Sequence, residues 1–409
     1  MKYCHLIILL TLLIIVSADL SAEVHKKQVT SAAELLRLLK QPVDSLEIYL
    51  ATGDYHLAPE EIIDSTCGNC PGPEQFVPAT AGLQISGDYV RLSGPQDRSA
   101  VIHTNAGYGI FFNHCKSGVI ENLSITGGSR DIDGNATDAA IVAKNSAVII
   151  RHNRIYVNIG DSAIVVENIV GIMGICGREN CDLTITGNEI LANSWDGIAL
   201  YRDARASITG NLIDGVDKAT AKVAGGGRGV AIGVTWNAKA TIEENLVRRY
   251  WKGIGIFVDA EVTARKNVIE DMLTWGIALW DAEIGAPIGL IEDNVIYSTG
   301  ACGVSITRSR PGPEPGHLMG NVIVKAAQNP KYDSPDYYCE QCALSIFAKP
   351  NNYKIAHNLF FNNRRATEDL PDYDVTESEF EKSAQDIRHR LLNTSLLRQS
   401  DFAKFLSDD

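Results

Sequence analysis

Three charged residues stand at one recurring place in an otherwise apolar sequence. Asp196, Arg228 and Lys252 each come directly before a glycine that opens a short alternating run, in DGIAL, RGVAI and KGIGI. If these runs stack, one acid and two cations meet. That set could abstract a proton beside a carboxylate: a base takes the proton, a cation neutralises the carboxylate, and an acid or second cation serves the leaving oxygen. An exposed ion ladder would use the same residues and contribute little stability. Aromatic residues recur beside them, Trp195, Trp251 and Trp275 just before the runs, and Tyr201, Phe257 and Trp280 within or after them. Ring faces match the apolar face of a sugar, although the rings could instead pack on neighbouring loops. Together these residues point to an acidic sugar polymer, with Lys252 or Arg228 taking the proton and Asp196 binding substrate or a cation.

Long insertions fall at Thr126 to Asp138, Ile159 to Val170 and Asp214 to Arg228, all bordering the run that carries the aromatics. The first contains DIDGNATD, whose Asp131, Asp133 and Asp138 have the oxygen-rich, glycine-turned composition of a calcium loop. It lacks the spacing and bidentate glutamate of an EF-hand, so a solvated acidic turn is the alternative.

The elements that must position these groups follow from repetition. Asn122, Asn153, Asn188, Asn211, Asn245, Asn267, Asn294, Asn321 and Asn358 each stand before a short apolar strand, never closer together than the 22 residues from Asn245 to Asn267. Each unit reads as a Gly-Ile-x-Leu strand, an Asp-Ala or Asn-Ala turn, a second strand such as Ala206 to Thr209, the Asn turn and a third strand. A single unit cannot bury its alternating apolar face, whereas stacked units pair every strand above and below and line one continuous core. The asparagines then fall over one another, with their amides bonding along the stack. Small residues are expected at the first outward position of each run, namely Ala199, Ala231, Gly255, Ala278 and Ser305, making a trough beside an aromatic ridge.

These repeats resemble the right-handed parallel β-helix of the pectin-lyase-like superfamily, over roughly residues 80–365. The fold class is therefore expected to be all-β, a right-handed parallel β-helix solenoid with an N-terminal capping helix over VTSAAELLRLLK and a charged C-terminal tail after 366. The resemblance implies a polysaccharide lyase, glycoside hydrolase or uronate epimerase, or a non-catalytic binder of glycan or protein. The polygalacturonase motifs Asn-Thr-Asp, Gly-His-Gly and Arg-Ile-Lys are missing. Tyr108-Gly109-Ile110 matches the start of the alginate epimerase signature, but Phe111 to His114 replaces its acidic part.

Residues 1–18 have a basic start, an apolar run and a small-residue end at Val16-Ser17-Ala18, the layout of a secretory signal, with a cap region over 19–79. A secreted or periplasmic location and no membrane span in the mature chain are expected. Of the 9 cysteines, Cys67/Cys70, Cys176/Cys181 and Cys339/Cys342 form close pairs. In an exported chain these read as disulfides, with a zinc site from the two CxxC pairs as the alternative. A net charge of −13 without a basic stripe argues against nucleic acid as a partner.

Overall fold

The computed structural model describes residues 24–161, 171–215, 229–309, 311–333 and 339–407. The signal-like segment 1–18 lies outside them. Each coil passes through three strands that belong to three different sheets. Ile198–Leu200 leads to Arg205–Thr209, then through Asn211 to Leu212–Asp214, and the chain re-enters the first sheet at Val230–Val234. We name these the trough sheet, the back sheet and the side sheet. Among the described residues they hold 11, 12 and 11 strands respectively.

Alternation explains the burial. Ile110, Ile141, Ile175, Ile198, Ile232, Ile254, Ile277 and Val304 stack in register along the trough sheet, all fully buried. Burying one such side chain contributes about 1.5–3 kcal/mol, and the column repeats that gain in every coil.

The asparagines form a continuous ladder from Asn153 to Asn358. Asn245, for example, accepts from Asn211 at 2.9 Å through both its backbone and side-chain nitrogens, and donates to the next amide, Asn267, at 3.0 Å. Asn122 is not a rung. Leu123 occupies the equivalent place and donates to Asn153 at 3.1 Å, so the ENLSI unit sits one residue out of the expected register. Asn122 instead aligns with His152, and both have positive φ (57° and 56°), the turn geometry that precedes each rung. A second, shorter stack joins Asn158 to Asn193 at 2.9 Å.

The expected N-terminal helix is Ala32–Leu38, with Ser31 accepting from the Glu34 N–H. Its Leu35 is buried in the same inner core as Ile48 and Leu50. The tail contains the helices Glu377–Leu391 and Asp401–Phe405. Phe380, Ile387, Leu391 and Phe402 pack on Leu246, Val268, Val295 and Val322, so the tail lies along the outer face of the side sheet. The Phe402 N–H donates to the buried Glu270 at 3.1 Å. Among the described residues no helix is long and apolar enough to cross a membrane.

Cysteine pairing differs from expectation. Cys67 and Cys70 form a disulfide, whereas Cys176, Cys181, Cys339 and Cys342 are free thiols. Cys176 lies in an outer apolar cluster and Cys181 in the inner core, so the chain directs them to opposite sides of the coil wall. Cys115 and Cys302 are buried. One CxxC pair is consumed as a disulfide, which removes the ligands for a zinc site shared by both.

Candidate active site

The outer face of the trough sheet is covered at one end and open at the other. Glu60–Asp64 pairs antiparallel with Val77–Gly87, and the loop between them carries the Cys67–Cys70 disulfide. Cys67, Cys70, Val77 and Ala79 cover Phe111, Val142, Cys176 and Ala199. Buried charge pins this hairpin in place: Asp64 meets Lys144 at 2.5 Å, Arg178 at 3.0 Å and the Tyr108 hydroxyl at 2.9 Å. The loop ends against the open face, where the Trp236 indole donates to Asn69 at 3.1 Å and Arg202 donates to the Cys67 carbonyl at 3.2 Å.

Beyond this wall lie two adjoining hollows of about 300 and 260 Å³, which share Val230, Lys252, Phe257 and Trp280. The first also has Trp195, Asp196, Tyr201, Trp236 and Trp251 on its lining, and the second has Trp275, Ala278 and Ser305. A larger hollow of about 410 Å³ on the tail is lined by Arg388, Arg398 and Lys404 but by no aromatic ring or carboxylate.

Register corrects the expected column. Val230, not Arg228, pairs with Lys252, and the pairing of Ile198 with Ile232 sets Asp196 on the same line. The column is therefore Asp196, Val230, Lys252. Arg228 lies outside the described residues. Matching Ala231-Ile232-Gly233-Val234 to Gly197-Ile198-Ala199-Leu200, rather than matching the glycines at 229 and 197, would have found this register. By the same shift Gly233 takes the outward place expected for Ala231. Trp195 and Trp251 keep equivalent positions, but the pairing of Ile254 with Ile277 sets Trp275 opposite Lys252, one residue further on. Its bulk is buried among Ala301, Cys302 and Tyr332, and its indole donates to Cys339 Sγ at 2.8 Å.

Tyr201 does not join an exposed ridge. It is buried with Met173 and Ala199, because the disulfide hairpin covers that coil. Phe257 is half-buried and Trp280 is exposed, their rings edge to face with centroids 6.3 Å apart. Gly255 makes room for the Phe257 ring: a Cβ there would lie 2.3 Å from it. Trp236, which the pattern of runs did not single out, stands at a turn with positive φ of 55°.

Two groups in the trough are electrostatically unusual. Asp196 is buried, accepts from the Val230 N–H at 2.6 Å, and turns its other oxygen toward Gly233. Burial pushes its carboxyl up to about 7, against the opposing pull of the Val230 hydrogen bond and of Lys252. Lys252 has its ammonium 5.1 Å from the Trp251 ring centre and 5.2 Å from that of Trp275. Burial lowers its pKa, and the Asp196 charge only partly offsets this. The two groups lie two rungs apart, roughly 9–10 Å along the stack. A carboxylic acid raised to about 7 and an amine lowered toward it can exchange protons with a bound molecule.

The family model for the right-handed β-helix region matches residues 80–233 and 174–360. The chain belongs to the right-handed β-helix family. Among solved structures, this β-helix protein is similar to a hyperthermoactive exopolygalacturonase from Thermotoga maritima. The TM-score is 0.52 at 10% identity, over 84% of this chain and 94% of that one. It is also similar to the periplasmic alginate epimerase AlgG, with TM-score 0.49 and 9% identity over 82% and 73%. An alginate lyase from Paenibacillus sp. str. FPU-7 gives TM-score 0.40 and 12% identity over 81% and 98%. At such identities the likeness is one of fold. No curated protein sequence matches the chain.

The acidic loop of this β-helix protein is internally bonded. Asp131 accepts from the Thr80 hydroxyl and N–H at 2.7 and 2.9 Å, and Asp133 accepts from the Asn135 N–H at 2.9 Å. Asp138 pairs with Arg130 and accepts from the Asp131 N–H at 2.8 Å, while its second oxygen has no hydrogen-bond partner. Asp131 and Asp138 converge over Gly107, where a Cβ would lie 2.1 Å from one and 2.5 Å from the other. A calcium ion here would compete with Arg130 for Asp138.

Proposed function

We propose that this β-helix protein is an exported polysaccharide lyase that cleaves an acidic glycan by β-elimination in the trough. The observation that carries the reading is the placing of a buried carboxyl, Asp196, and a half-buried amine, Lys252, two rungs apart in one trough among aromatic rings. Lys252, neutral, takes the proton from C5 beside the uronate carboxylate. Asp196, protonated, gives its proton to the C4 oxygen as that bond breaks. A C4–C5 double bond forms, and the net proton moves from carbon to the leaving hydroxyl. Inverting or retaining hydrolysis uses two carboxylates across the scissile bond. Among the described residues lining the two hollows, Asp196 is the single carboxylate.

Trp251 and Trp280 hold the sugar faces. The disulfide loop with Asn69 and Trp236 blocks one end of the trough, so the glycan is held by its terminus and short unsaturated products dominate. A panel of uronate polymers, read by absorbance of the unsaturated product with and without a chelator, tests this. Wild-type turnover that vanishes in Lys252→Ala, with folding intact, supports the reading. Glycan binding without any product selects the non-catalytic binder. Loss on chelation, restored by calcium, would place an ion at Asp131, Asp133 and Asp138. Recovery of the chain from the periplasm or medium, cleaved after Ala18, tests export.

A further inference from the structure

The side sheet begins with the strand Gly53–His56, which pairs on one edge with Ala100–His103 and forms the end of the sheet among the described residues. Register sets His56 directly beside His103, and alternation puts Asp54 on the same face as His56. The result is a cluster on the side of the solenoid away from the trough. The His56 and His103 rings stack with centroids 4.2 Å apart and planes 15° apart. His103 Nε2 lies 2.8 Å from Asp54 Oδ1, and one ligand-capable atom from each of the three residues falls within 4.8 Å of the other two. Asp54 and His56 are exposed and His103 is half-buried, so an ion can enter from solvent.

We propose that Asp54, His56 and His103 form a binding site for a divalent transition-metal ion of the zinc, copper or nickel class. Two imidazoles and one carboxylate match the ligand preference of these borderline ions, whereas calcium and magnesium take all-oxygen sets. Ligands on one ion at about 2.0–2.2 Å bonds stand roughly 3–3.5 Å apart, a modest side-chain adjustment from the present spacing. Parallel stacking makes the site possible, because adjacent rungs present two side chains at the strand spacing of about 4.8 Å. Solvent fills the remaining positions. The ion ties the terminal strand to its neighbour, bridging two coils by coordination bonds at an edge that backbone hydrogen bonds hold from one side only.

The test is zinc titration of the purified full-length protein by calorimetry, beside thermal unfolding with and without the ion. One zinc per chain is expected, with a melting rise of roughly 2–4 °C at about hundred-fold excess over Kd. Calcium should give neither effect. His56→Ala alters an exposed side chain and should weaken zinc binding at least about ten-fold; Asp54→Ala and His103→Gln should do the same. No zinc binding by the wild-type chain, or binding by His56→Ala and Asp54→Ala as tight as that of the wild type, overturns the site. Both readouts are independent of glycan turnover, so this site and the lyase reading fail separately.

Discussion

Asp196 and Lys252 owe their chemistry to their surroundings. In water an aspartate is ionised at neutral pH and a lysine is charged. Here burial disfavours both charges and draws their proton affinities together. The proposed roles fix the sign of the pH dependence. The base must be deprotonated, so kcat/KM rises with pH through the lowered Lys252 value. The acid must be protonated, so kcat/KM falls as pH passes about 7, where Asp196 ionises. Because the charges interact, both limbs belong to the pair. Asp196→Asn is expected to lower turnover by about 10²–10⁴ and to remove the alkaline limb, and an unchanged profile would count against its role. Trp251→Ala and Trp280→Ala each remove a ring face from the trough. A rise in KM of roughly 3- to 10-fold is expected for each, measured on the polymer that the panel identifies.

Elements here are defined by what they stack upon. A ladder asparagine satisfies the backbone N–H of the rung before it and the carbonyl of a neighbouring coil. For Asn245 these are the Asn211 N–H and the Ile208 carbonyl, both at 2.9 Å. Asn245→Ala leaves these groups buried and unpaired. A loss of about 2–4 kcal/mol is expected in denaturant melts, against a few tenths for Lys266→Ala, a half-buried residue beside the next rung. The hairpin over the trough sheet depends on Asp64, which faces two cations and a tyrosine hydroxyl. Asp64→Ala takes the carboxylate from the buried Lys144 and leaves Arg178 with Glu179 as its acidic partner, and should cost about 3–5 kcal/mol. Proteolysis within residues 65–76 of that variant, ahead of global unfolding, would report the hairpin lifting away.

The whole molecule is a rod in which one side carries the trough and another is sealed by the tail. Phe402 is fully buried against the side sheet, with its ring 5.6 Å from that of Tyr297. Phe402→Ala should cost about 3–5 kcal/mol and expose the strip of Leu246, Val268, Val295 and Val322, read as a lowered melting temperature and dye binding. Turnover by the fraction still folded should not change, because the trough lies on a different sheet. The repeat is legible in the order of the amino acids. Period, alternation and the asparagine column specify a stack of coils because no coil can bury its own apolar face. That logic also named Asp196, Lys252, Trp251, Phe257 and Trp280, which do share one trough. It misplaced Asn122 by one residue and Arg228 by two, because a glycine or an asparagine marks a turn only approximately. Which strand residues meet is decided by hydrogen-bond register between coils. Tertiary structure alone decided that the disulfide hairpin buries Tyr201, that Trp275 turns into a wall, and that Trp236 joins the site. Each of these outcomes depends on contacts between segments with no shared periodicity, and such contacts exist only once the coils have stacked.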